Sequence, residues 1–159
     1  MAFTTTAHLN FRGNAREALE FYQSVFGGRL TAVTYGDFGM PQELPDASKI
    51  VFGRIDGADG FGIMAYDIPA QAGAQAGAQA GQAGPTRREN GMTLTREPFF
   101  MSVRGQSAED VGELWKKLSV GATVVEDFGP AQWAPAFGML TDQFGVTWIL
   151  DVAAEYTAG

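Results

Sequence analysis

The chain has 159 residues, a net charge of −7, an 18% charged fraction, 45% hydrophobic residues, one histidine and no cysteine. That length suits one domain with a real core. The acidic balance speaks against a nucleic-acid binder, which would carry a basic face, and the lack of cysteine removes disulfide and thiolate chemistry. No apolar run approaches the ~18 residues of a membrane span, and Met1–Thr6 lacks the basic-then-apolar pattern of a signal peptide. The expectation is therefore a cytoplasmic protein that binds neither nucleic acid nor membrane.

Ala7, Leu9 and Phe11 alternate with His8, Asn10 and Arg12, the period-two pattern of a half-buried strand. Asn14, with Glu17 three positions on, reads as a capping box. Ala15, Ala18, Leu19, Tyr22, Val25 and Phe26 then recur at helical spacing, and Gly27-Gly28 stops the helix. Strands are predicted over residues 30–35, 49–55 and 61–66, with a loop at 36–46 and a hairpin turn at 56–60. Residues 1–67 form module one.

From 68 to 95 the composition changes, with Ala-Gln-Ala-Gly repeats over 70–84, where a glycine every third or fourth residue weakens a helix and no apolar side chain larger than alanine is present to pack. This stretch reads as a connecting segment, with Arg87-Arg88 as a solvated charge pair.

Module two, 96–159, repeats the pattern. Phe99, Met101 and Val103 alternate with Phe100, Ser102 and Arg104, and Ser107 with Asp110 offers a second capping box. Val111, Leu114, Trp115 and Leu118 make one helix face, which places Trp115 in the core, and Gly121 ends the helix. Strands follow at 123–128, 137–141 and 146–151, with Trp133 on the loop before the second of them. The order βαβββ, stated twice, predicts an α+β fold in which two modules can enclose a cavity.

Two segments carry a family resemblance: Leu9-Asn10-Phe11 through Ala18-Leu19-Glu20-Phe21-Tyr22 to Val25-Phe26-Gly27-Gly28, and Trp133 through Phe137-Gly138-Met139 to Thr141-Asp142-Gln143-Phe144-Gly145-Val146 and Trp148. With them the chain resembles the vicinal-oxygen-chelate superfamily of glyoxalase I, extradiol dioxygenases and bleomycin-resistance proteins. The branch it is most similar to is called 3-demethylubiquinone-9 3-methyltransferase-like, or phosphonate-operon B-like. The methyltransferase label finds no support in the residues, since no glycine-rich cofactor loop follows a first strand. The resemblance implies curved mixed sheets around a cleft, helices on the outer faces, and a homodimer.

Members that use a metal place His or Glu on strands of both modules. Carried over, those positions fall at Thr6, Pro98, Ile149 and Ile63 or Met64, none a usual ligand. The expectation is thus no metal, no cofactor and no catalytic residue. The cleft would instead be walled by Tyr35, Phe38, Met40, Met64, Tyr66, Phe100, Trp133 and Phe137, with His8 and Asn10 as polar contacts. Ligand-binding residues are accordingly expected at His8, Asn10, Tyr35, Phe38, Met64, Phe100, Trp133 and Phe137, holding a bulky or aromatic organic molecule. The competing reading is an enzyme: a metal-dependent lyase or dioxygenase, or an isomerase with His8 as base. Asp37, Glu43, Asp67 and Asp151 read as solvated or turn residues.

Overall fold

A computed structural model describes residues 2–70 and 86–154; the Ala/Gln/Gly repeats of 71–85 lie outside the described residues. The chain divides into two compact units between residues 81 and 82. The fold is mixed α+β, with two four-stranded mixed sheets and, among the described residues, no closed barrel.

In the first unit β1 (Ala7–Phe11) is followed by α1 (Ala15–Phe26), β2 (Arg29–Thr34), β3 (Ile50–Asp56) and β4 (Gly62–Asp67), in the sheet order β1-β4-β3-β2. β1 and β4 are parallel and the other pairs antiparallel. Predicted strand ends agree to within one residue. Leu9, Phe11, Ile55, Ile63 and Ala65 point to one face and are buried with Ala18, Leu19 and Tyr22 of α1. Gly53 lies at the contact, where an added Cβ would stand 2.3 Å from Leu19 Cδ1. The opposite face carries His8 beside Met64 and Asn10 beside Tyr66. Gly27 and Gly28 turn the chain out of α1 at φ 74° and 101°, and a Cβ at Gly28 would lie 2.8 Å from the Asp56 carbonyl oxygen.

The expected Asn14 cap is not made; Asn14 forms no side-chain cap hydrogen bond. Asp67, at the end of β4, takes the role. Its Oδ1 accepts from the Gly13 and Ala15 amides at 2.7 and 3.0 Å, and its Oδ2 accepts from Ile50 at 2.9 Å. A carboxylate that satisfies amides at the positive end of a helix is well placed both for hydrogen bonding and for the dipole. Asp67 is 1% exposed, so the solvated reading of this residue is corrected.

The second unit opens with a hairpin, β5 (Arg87–Glu89) and β6 (Met92–Leu94), inside the stretch read as connecting segment. Asn90 and Gly91 make its turn with positive φ. β7 (Met101–Gly105), α2 (Ala108–Leu118), β8 (Thr123–Gly129), β9 (Phe137–Thr141) and β10 (Thr147–Val152) follow, in the order β7-β10-β9-β8. The parallel pair β7–β10 repeats β1–β4. Phe99 and Phe100, expected within the strand, precede it. Ser107 caps α2 as expected, accepting from the Asp110 amide at 3.1 Å.

Trp148 is the fully buried tryptophan of this unit, while Trp115 is half-buried and stacks on Phe128 at 5.8 Å. The core reading of Trp115 is corrected to that extent: its ring reaches from α2 to Gly138 of β9 and Phe128 of β8. A Cβ at Gly138 would lie 2.8 Å from Trp115 Cζ3 and 2.9 Å from Phe128 Cα. Gly138→Val should therefore cost about 1–3 kcal/mol by overpacking, measurable as a lower urea midpoint with an unchanged slope.

Candidate functional site

Each sheet has one face turned from its helix. In the first unit this face holds His8, Asn10, Met64, Tyr66, Phe52 and Arg54, by strand register. His8 and Asn10 are exposed and Met64 and Tyr66 half-buried. His8 Nδ1 lies 3.0 Å from Asn10 Oδ1. The amide oxygen only accepts, so Nδ1 donates, and in the neutral ring Nε2 then keeps its lone pair. The His8 ring meets Tyr66 edge to face at 5.2 Å. Phe52, 37% exposed, extends the apolar part of the surface.

Tyr35 and Phe38 lie elsewhere in this unit. Tyr35 follows β2, and its hydroxyl donates to the Asp67 carbonyl at 2.7 Å. Burial raises the Tyr35 phenol above its ordinary value, helped by Tyr66, Asp67 and Asp46. Because the folded state disfavours the phenolate, the stability this residue adds is complete below the unfolded value, about 10, and is lost as pH climbs through the raised folded one. Tyr35→Phe should cost about 0.5–1.5 kcal/mol at neutral pH. Thermal melts of parent and variant should converge as pH rises beyond about 10.

Phe38 projects from the loop with 74% of its surface exposed. Asp37 in that loop exchanges hydrogen bonds with Thr34, whose amide holds the Asp37 carboxyl below its usual value. Glu43 is exposed, as read.

In the second unit the face away from α2 carries Phe137, Met139 and Thr141 on β9 beside Asp151, Ile149 and Thr147 on β10. Phe137 and Trp133 touch edge to face at 5.2 Å, with Phe137 buried and Trp133 51% exposed. Phe100 is half-buried just ahead of β7. Asp151 is buried, not solvated, and accepts both Nε and Nη2 of Arg104 at 3.0 and 2.9 Å. This two-pronged pairing stabilises a carboxylate at that depth.

The residues missed from sequence lie on and after the hairpin. Arg87 is exposed as expected, but Arg88 is turned inward, with its guanidinium over Trp133 and Phe137. Glu97 Oε2 accepts the Thr147 hydroxyl at 2.8 Å and the Thr86 hydroxyl. Thr141 and Thr95 lie 2.7 and 2.8 Å behind those two donors. A paired run of basic residues carries no local signal of which member turns inward. The alternation of a strand, had β5 been recognised, would have separated them.

The four positions expected above to correspond to metal ligands do not offer a donor set for a divalent ion. Thr6 precedes β1, Ile63 is buried on the helix side, Met64 offers a thioether, Pro98 is exposed ahead of β7, and Ile149 is aliphatic. Among the described residues no three His, Cys, Asp or Glu side chains are grouped so as to hold a metal.

Against known proteins, the model of the Glyoxalase/Bleomycin resistance protein/Dioxygenase superfamily matches residues 6–150. Protein YjdN of Escherichia coli (strain K12) is 23% identical over 149 residues, 93% of this chain and 94% of that protein. The crystal structure of protein PA1353 from Pseudomonas aeruginosa is similar with a TM-score of 0.72 and 27% identity, covering 97% of this chain and 100% of that one. The PhnB protein from Bacillus cereus shares the fold, with a TM-score of 0.66, 21% identity, and coverage of 95% and 100%.

Proposed function

The chain belongs to the glyoxalase/bleomycin resistance protein/dioxygenase superfamily, and from that membership we propose that it captures a bulky or aromatic organic molecule without a metal ion. What supports this reading is that the positions expected to correspond to metal ligands hold no usual ligand residue. Where metal-using relatives would place ligands this chain has Thr6, Pro98, Ile149 and Ile63 or Met64. Taken separately, the first unit offers Met64 and Tyr66 and the second offers Trp133 and Phe137, side chains that suit burial and stacking of a flat molecule. In the first unit His8 and Asn10 supply the proposed polar contacts beside Met64 and Tyr66, and in the second Phe100 is proposed to add to Trp133 and Phe137.

In this reading the protein works as a cytoplasmic homodimer. No helix among the described residues is long and apolar enough to cross a membrane. Light scattering behind gel filtration checks the dimer. A fluorescence titration against a panel of planar organic compounds checks capture: saturable quenching by at least one compound is expected, and silence across the panel contradicts it.

One observation favours a second reading. His8 Nε2, left with its lone pair by the contact to Asn10 at 3.0 Å, could serve as a general base beside Tyr66. Deuterium uptake from solvent into a bound carbon acid, abolished by His8→Ala while binding persists, would establish it.

A further inference from the structure

The hairpin turns one guanidinium inward onto a corner of distinctive chemistry. Arg88 Cζ stands 5.6 Å from the centre of the Trp133 ring and 5.4 Å from that of Phe137. Glu126 Oε2 lies 3.8 Å from Arg88 Nε. Two aromatic rings and a carboxylate around a flat, delocalised cation make up the composition of a receptor for planar organic cations. We infer that the corner formed by Trp133, Phe137 and Glu126 binds a planar organic cation, and that Arg88 is a built-in occupant that such a ligand displaces; the inference rests on the capture role proposed above and gives it a ligand class.

The occupant is only partly satisfied where it sits. Arg88 Nη1 donates to Thr93 Oγ1 at 2.9 Å, but Nε is buried with no hydrogen-bond partner. A buried N–H without an acceptor has lost its water for nothing in return. The segments flanking the hairpin, moreover, have side-chain anchors other than Arg88. Thr86 and Thr147 both donate to Glu97 Oε2, so Thr95 and Thr141 must donate to them in turn, since each hydroxyl has one proton. This chain of hydroxyls fastens the segments flanking the hairpin to β9 and β10, so the backbone keeps anchors of its own when a ligand displaces the Arg88 side chain from the rings. Trp133 is 51% exposed, which leaves its ring within reach from solvent. The net charge of −7 favours the approach of cations over anions.

Three probes of one shape separate the alternatives: benzamidine (cation), benzamide (neutral) and benzoate (anion). Calorimetric titration of the full chain is expected to show Arg88→Ala binding benzamidine about tenfold more tightly than the parent, the scale of a desolvated cation–π contact. Benzamide should trail by a similar factor and benzoate should not bind. Trp133→Ala in the Arg88→Ala background should erase the gain, and Arg88→Lys, which keeps a cation in the corner, should stay near the parent. Circular dichroism confirms folding, with Arg88→Gln as the substitute if alanine fails to fold. Preference for benzoate, lost in Arg88→Ala, would overturn the inference and make Arg88 an anion anchor. An Arg88→Ala protein no better than the parent would also overturn it. Uptake of neutral compounds by the parent, unchanged by Arg88 substitution, would sink this inference while leaving the capture reading intact.

Discussion

Asp67→Ala should lower the free energy of unfolding by about 3–5 kcal/mol, measured by urea denaturation at neutral pH. One buried carboxylate accepts amides from Gly13, Ala15 and Ile50, thereby joining the start of α1, the turn before it and the first residue of β3. With the acceptor gone, those donors remain at the end of the sheet with no substitute within the shortened side chain. The loss per buried donor is about 1–3 kcal/mol, tempered by whatever water enters. Asp67→Asn gives the internal control. Its single carbonyl oxygen can still serve Gly13 and Ala15, which share Oδ1, but its NH2 would face the Ile50 amide, so it should lose about 1–3 kcal/mol. Amide exchange at Ala15 and Ile50 should quicken in the alanine variant and only at Ile50 in the asparagine one.

Trp148→Ala should cost about 3–5 kcal/mol and Trp148→Phe about 1–2 kcal/mol. Trp148 is fully buried between Met101 on β7 and Leu140 on β9, so truncation opens a void in the middle of the second sheet's core. Its Nε1 also donates to Asp142 Oδ2 at 2.8 Å, and Asp142 accepts the Phe144 and Val146 amides that shape the β9–β10 turn. Phenylalanine fills most of the volume but takes that donor away. The two variants thus separate cavity from hydrogen bond, and the difference in their urea midpoints measures the cavity part.

The pattern of strands and helices was legible in the sequence because alternation and helical spacing are local. Leu9 and Phe11, or Val111 and Leu118, declare their faces within a few residues. What could not be read was long-range. Asn14 looks like a cap, but the acceptor comes from Asp67, more than fifty residues later, and an acid at a strand end looks like a turn residue. Asp151 is misread for the same reason, since its partner Arg104 lies on a neighbouring strand far away in sequence. The hairpin at 87–94 was hidden because its strands are three residues each and border a glycine-rich repeat. With it went Arg88 and the Glu97 hydroxyl chain. Of the residues put forward for the site, His8, Asn10 and Met64 come together on one sheet face, and Trp133 and Phe137 meet in the other unit. Tyr35 is engaged by the Asp67 carbonyl and Phe38 stands in solvent.

The metal-free character of the proposed binding is the point on which the functional reading turns. Take the planar compound that quenches best, and measure its affinity by calorimetry twice: once with the protein treated with chelator, and once with the protein loaded with an excess of manganese, nickel or zinc ion. The donor-poor interior predicts the same dissociation constant in each case, within about twofold. Binding that appears only with one of these ions, or tightens with it by a hundredfold, would contradict the account.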